Sequence, residues 1–314
     1  MYPIAGPGAT VDNKFTEGDP VTGLQATVVT ANWANDVQAE ILNVLGSAGI
    51  TPTAGVQNQL SDAIRKISGS PVGSLVNARM AVTTTTTSAT FTADEVVVKS
   101  VLGGLSFILP SFSKTINIAT VGLGGMDVGA APASGYVAIY AIFNPTTGVS
   151  GLLARNATAG FVGQNYAGAN MPAGFTASAL ISVWPTTGSS QLRVGFQVGR
   201  EISFVQILAL SSSVVQSSYA ALSIAMAVPY NAVKVKMIAQ IAGSSVGSTI
   251  GVRTASDVAG MSPSVLQSAA PNGLNAFAGV MTDTPLLTAQ TIYYTADGAA
   301  GTITASFYVT GYSF

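Results

Sequence analysis

The segment GSSVG, Gly243–Gly247, puts Ser245 where a nucleophile elbow would hold its serine. Such a serine attacks only when a neighbouring base takes its proton, and the chain contains no histidine. A turn between strands is the simpler reading. Cysteine is absent as well, which removes disulfides, thiolate metal sites and thiol nucleophiles together. Beyond residue 70 the carboxylates are Asp94, Glu95, Asp127, Glu201, Asp257, Asp283 and Asp297. A glycosidase needs two of them about 5 Å, or roughly 6.5–9.5 Å, apart across a sugar cleft. Scattered acids with few tryptophans or tyrosines nearby read as ordinary surface residues. The stretch VGLGGMDVG, Val121–Gly129, is glycine-rich, but Asp127 stands where a dinucleotide fingerprint wants its last glycine, and no helix pattern follows. No enzyme, cofactor or metal centre is expected. Asn156-Ala-Thr158 is a glycosylation acceptor by pattern only.

Binding chemistry is the alternative to catalysis. Trp33 and Trp184 lie in apolar periodic runs and read as packing residues. Tyr166, Tyr230, Tyr293, Tyr294 and Tyr312 are open to a second reading, because a tyrosine on a polar loop can stack on a sugar and hydrogen-bond through its hydroxyl. The segment SAAPNGLNAFAG, Ser268–Gly279, offers Asn272, Asn275 and Phe277 in the same way. Tyr166, Tyr230, Asn272, Asn275 and Phe277 are therefore the candidate receptor-binding residues.

The elements that would position these residues follow from composition and pattern. Only 8% of the 314 residues are charged, against roughly 25% in an ordinary soluble domain. Hydrophobic residues make up 48%, and mean hydropathy is +0.48. Apolar surface on that scale is most simply hidden between subunits, since obligate interfaces resemble a core cut in half and exclude charge. A net charge of −1 gives no footprint for nucleic acid or lipid headgroups. The most apolar run, Tyr219–Val228, stops at Pro229, short of the roughly 20 residues of a spanning helix. MYPIAGPG has neither a basic n-region nor an apolar h-region, so no secretory signal is expected.

Residues 1–30 are punctuated by Pro3, Pro7, Pro20, Gly6, Gly8, Gly18 and Gly23, which predicts an extended arm. A helix follows, with Thr30 or Asn32 as N-cap, Trp33, Val37, Ile41, Val44 and Leu45 at helical spacing, and Gly46 ending the run. A second helix is marked by Val56, Leu60, Ile64 and Ile67. Nine of the 25 charged residues fall within residues 1–70, and the composition changes near GSPVGS, Gly69–Ser74.

Beyond that point everything reads as strand and turn. The threonine run Thr83–Thr87 predicts an extended edge. Strands are expected at Val96–Lys99, Leu105–Pro110, Thr115–Gly122, Tyr136–Phe143, Ala179–Trp184, Gln191–Val198, Ile202–Leu210, Val233–Ile241 and Ile250–Arg253. Alternation puts Leu192, Val194, Phe196 and Val198 on one face. The chain is expected to close on a hairpin, Ile292–Thr295 and Thr302–Thr310, turning at Asp297-Gly298. The fold class is therefore mainly β: an N-terminal extended arm and short helices, then β-sandwich domains.

Several stretches resemble bacteriophage tail fibre proteins. FTEGDPVTGLQATVVTANWANDVQAEILNVLGSAGI, Phe15–Ile50, with QLSDAI, Gln59–Ile64, is similar to their N-terminal segment. GYVAIYAIFNPTTGVSGLLARNAT (Gly135–Thr158), GANMPAGFTASALISVWPT (Gly168–Thr186) and the terminal GYSF resemble their distal half. The resemblance implies a homotrimer in the virion tail, made in the host cytoplasm. Residues 1–70 would attach to a tail or baseplate protein, with Phe15, Trp33, Val37, Ile41, Val44 and Leu45 as attachment residues. Residues 71–130 would be a small β linker and 131–314 a β-sandwich tip. The tip would recognise a host surface polysaccharide or lipopolysaccharide, without nucleic acid or membrane insertion. Long fibres place hundreds of residues between these ends, whereas here the gap is short. A purely architectural baseplate or collar connector, and a polysaccharide-depolymerising spike, remain the alternatives.

Overall fold

The computed structural model describes residues 3–244, 248–270, 275–298 and 301–314. The chain is mainly β, with 46% strand and 9% helix, and its sheets are antiparallel. It divides into two compact units. One is Met1–Ser70 with Gly103–Ser106; the other is Pro71–Leu102 with Phe107–Phe314. Residues 71–130, apart from that short insert, thus belong to the same unit as the C-terminal region.

In the first unit the proline- and glycine-punctuated lead-in is not a straight arm. Asp19 and Leu24 exchange backbone hydrogen bonds of 2.8 and 2.9 Å, and Thr27 N–H reaches Thr16 O at 2.9 Å. The reversal is made possible by Gly23 at φ +74° and by the Asp19 carboxylate, which accepts from Val21 N–H at 2.8 Å. That bond also holds the Asp19 carboxyl below its ordinary pKa. Helix α1 (Ala31–Ser47) follows, capped by Thr30, whose Oγ1 accepts from Trp33 N–H at 3.4 Å. Gly46 lies inside this helix instead of ending it. The left-handed position is Gly49, at φ +64°, with Gly49 N–H bonded to Gly46 O and Ile50 N–H to Leu45 O, both 2.9 Å. This pairing is a Schellman motif, and Ile50 packs back on Leu45 as that motif requires. Helix α2 (Gln59–Ile67) is shorter than the apolar spacing predicted, since Val56 precedes it. The two helices share a small buried cluster of Leu45, Ala48 and Ala63.

The second unit contains sixteen strands among the described residues: β1 (Leu75–Val76), β2 (Arg79–Val82), β3 (Ser88–Lys99), β4 (Ser106–Asn117), β5 (Tyr136–Phe143), β6 (Ser150–Asn156), β7 (Ala177–Pro185), β8 (Gly195–Val198), β9 (Glu201–Ser212), β10 (Gln216–Ser223), β11 (Lys234–Gly243), β12 (Ser248–Ala255), β13 (Ser264–Ala270), β14 (Asn275–Pro285), β15 (Thr291–Gly298) and β16 (Ile303–Ser313). The larger sheet runs β14-β11-β16-β9-β8-β2-β3-β7-β5-β6, with β1 and β4 also paired to β3. The smaller runs β10-β15-β12-β13. The smaller sheet lies over the β14-β11-β16 end of the larger one, where Tyr294 meets Phe307 edge-on at 5.3 Å. This is the sandwich the many short strands predicted.

Three expectations are corrected. The terminal hairpin does not form, because β15 pairs with β10 and β12 in the smaller sheet while β16 pairs with β11 and β9 in the larger. A turn signal fixes a reversal of direction but not a partner, and burial of both apolar faces sends the two strands to different sheets. The threonine run is mostly bend, with one bridge from Thr86 to Leu192. Residues 268–270 and 275–279, read as a loop, lie in β13 and β14.

Strands β5 and β7 have almost every residue buried. That explains why YVAIYAIF and SALISVW show no clean alternation: both faces are covered. A single apolar cluster runs through the unit, with Trp184, Tyr140, Tyr312, Phe91 and Phe307 its largest fully buried side chains. Register shifts fall at matching levels on adjoining pairs: between Val235 and Met237 toward β14, Lys236 and Met237 toward β16, and Val309 and Gly311 between β16 and β9.

Candidate functional site

The first unit exposes an unusual amount of apolar side chain for a segment with so small a core. Phe15 rests edge-on against Trp33, centroids 5.2 Å apart, yet remains half exposed. Among the expected attachment residues, Leu45 is buried, Trp33, Val37 and Val44 are half-buried, and Ile41 is exposed. The helices and the Pro52–Gln57 turn enclose a groove of about 500 Å³, lined on its apolar side by Ile41, Leu42, Leu45, Pro52, Val56 and Leu60. The turn is held by Gln59, which accepts from Thr53 N–H and donates to Thr53 O and Val56 O, each at 2.8 Å. Ile64 and Ile67 are each 54% exposed on α2. An uncharged cleft flanked by aliphatic side chains can take an apolar side chain from a partner. It has no arrangement for covalent chemistry.

Those residues expected to meet a receptor that are described do not form one exposed cluster. Tyr166 is buried, its hydroxyl donating to Asp127 Oδ2 at 2.9 Å, its ring edge-on to Tyr140 at 5.5 Å and under the Arg155 guanidinium at 6.0 Å. Burial and the Asp127 hydrogen bond push its pKa up to about 12. It staples the Ala157–Thr176 segment to the β5-β6 pair and is not free to stack on a sugar. Tyr230 is exposed. Phe277 is half-buried on β14 beside Ile241, and Asn275 begins the same strand. Asn272 and Ser245 lie outside the described residues. Trp184 is fully buried, its Nε1–H donating to Arg193 O at 2.9 Å. Tyr312 is likewise fully buried, its hydroxyl donating to Val183 O.

Several of the carboxylates beyond residue 70 have ordinary partners. Glu201 pairs with Lys236 Nζ at 2.6 Å, Asp297 with Arg253 at 2.8 Å, and Asp94 accepts from Asn77. Among the described residues, no group of three or more His, Cys, Asp or Glu could hold a metal.

Sequence reasoning passed over Phe196. It is 54% exposed between two grooves of the larger sheet. One, of about 570 Å³, is lined by Arg79, Ser88, Thr90 and Thr92; the other, of about 420 Å³, by Val194, Phe204 and Val205. Its signal was the alternation in QLRVGFQV, but the strand expected over Gln191–Val198 begins only at Gly195, and Leu192 is buried while Phe196 and Val198 are exposed, so the four do not share a face.

No family model matches the chain. A local stretch of 54 residues is 48% identical to the Mu-like prophage FluMu defective tail fiber protein of Haemophilus influenzae. That stretch is 17% of this chain and 8% of the relative, so the chain spans a small part of the relative's length. Among solved structures, a Bacillus thuringiensis Cry1Da tryptic core variant aligns over 80% of this chain and 54% of its own, at 9% identity and a TM-score of 0.19. A superposition that loose carries no argument about fold or function. No helix among the described residues is long and apolar enough to cross a membrane.

Proposed function

We propose that the chain is a short tail-fibre protein of a phage virion, attached through residues 1–70 and assembled as a homotrimer. The observation that supports it most directly is the local 48% identity to a phage tail fiber protein. The exposed groove of Ile41, Leu42, Val56 and Leu60 supports attachment by burial, a mode that needs little charge. We read the second unit as the part facing away from the tail. Host-surface recognition, by glycan, would use its exposed loops, and three weak sites at fixed spacing would reinforce one another. The protein is read as a non-enzyme, a reading supported by Glu201, Asp297 and Asp127, each of which is held by a structural partner. Burial of Tyr166 favours the architectural connector as a second reading, because it removes one of the five residues on which receptor binding rested.

Antibody against the purified chain should decorate particle tails in electron micrographs of the phage. Labelling confined to unassembled protein overturns the reading. Full-length protein that attaches to host cells or purified lipopolysaccharide supports the receptor reading; tail decoration without such attachment supports the connector.

A further inference from the structure

Strand β8 is inside out for a chain surrounded by water. Gln197 is 1% exposed, its Nε2 donating to Ile181 O and Gly199 O, both at 2.7 Å. Its neighbours Phe196 and Val198 are 54% and 52% exposed. The amide is turned inward because two carbonyls there need a donor, and that choice forces the apolar pair outward. The same outer face continues across the larger sheet. Register places Val280, Ile238, Tyr308 and Leu208 directly beside one another on β14, β11, β16 and β9. Val280 is 82% exposed, Val205 73% and Leu208 48%.

Charge is confined to one margin of this face. There Lys234 and the Lys236–Glu201 pair stand on β11 and β9, exposed Asp283 stands on β14 near them, and Arg79 stands on β2 beside Val198. On the other side of the apolar row lie Gln240, Ser306 and Ser211, with Ser306 and Ser211 hydroxyls 3.1 Å apart. An apolar centre with a polar rim is the layout of a protein–protein interface. Strand β8 of four residues and β14, β11, β16 and β9 of ten to twelve, spaced about 4.8 Å at roughly 3.3 Å per residue, give a footprint of about 750 Å². That approaches the roughly 800 Å² per partner of a standard stable interface.

We infer that this outer face, β14-β11-β16-β9-β8, is buried against another copy of the same chain. The inference rests on the homotrimer proposed above and names the surface through which its copies meet.

The test uses the full chain. Light scattering should give about three times 31.6 kDa for the native protein, and Val280→Asp with Leu208→Asp should reduce it to one chain with an unchanged circular dichroism spectrum. The control Val258→Asp, at a site 68% exposed away from these strands, should leave the assembly intact. A second measurement needs no disruptive charge, because the native chain has no cysteine. Val280→Cys should react with maleimide about ten-fold more slowly than Val258→Cys, as expected of a covered site. A native protein that is one chain at high concentration overturns the trimer itself. A native assembly that survives the double substitution, or in which Val280→Cys reacts as fast as Val258→Cys, overturns only the assigned face.

Discussion

The two units differ most in what they bury. The first encloses Leu45, Ala48 and Ala63, with Val44 and Ile50 beside them. The second encloses a continuous cluster that includes whole strands, β5 and β7, with both faces covered. The hydroxyls of four tyrosines thread that second core: Tyr136 to Ala225 O, Tyr140 to Gly163 O, Tyr166 to Asp127 and Tyr312 to Val183 O. The first unit has no tyrosine among its described residues. Stability in the second unit therefore comes from packing, with these four hydroxyls hydrogen-bonded inside it. In the first it comes from caps, turns and whatever covers its exposed aliphatic face.

Alkaline titration separates the two most sharply. Burial raises the pKa of Tyr136, Tyr140 and Tyr312 above the ordinary value of 10. The folded unit keeps protons that the unfolded chain loses, so this contribution is complete below pH 10 and drains as pH rises. Each pH unit above 10 should remove about 1.4 kcal/mol for each tyrosine that stays protonated. Calorimetry from pH 9 to 12 should show the second unit's melting temperature falling steeply, while helix in residues 31–67 responds little. Equal sensitivity in both would break the contrast.

Trp184→Ala comes next. It opens a cavity in a fully buried site and orphans Arg193 O, and should cost about 3–5 kcal/mol in denaturant unfolding. Leu45→Ala should cost about 2 kcal/mol, at the low end for this change because so small a core can collapse around the gap. Hydrogen exchange should report that loss in α1 and α2 and leave β5 and β7 protected. Thr30→Ala removes the α1 cap and should cost about 1 kcal/mol, read as faster exchange at the start of the helix.

How far the sequence was legible varies along the same line. Tyr136–Phe143 was read with the bounds the strand has, because a run apolar at every position has one economical solution, burial on both faces. The α1 cap was narrowed to Thr30 or Asn32 for a comparable reason, since a capping side chain acts only three residues away, and Thr30 is the one that caps. Long-range facts were not. Asp297-Gly298 promises a reversal, but nothing local tells β15 and β16 to join different sheets. Tyr166 was read as a surface ring because its partner Asp127 lies 39 residues upstream. Phe196 was read as sharing a face with Leu192, but the strand starts only at Gly195 and Leu192 is buried; the outward direction of Phe196 goes with the hydrogen bonds of Gln197 to Ile181 and Gly199.

The aligned register shifts at Val235–Met237 and Val309–Gly311 act together as a crease. A bulge bends its strand and tightens the local twist, and neighbouring bulges add their bends along one line. Lysines 234 and 236 fall on one slope of that fold line, and the Ile238–Tyr308 row on the other. A planar surface can rest on either slope but not on both, so whatever covers both must be bent to match.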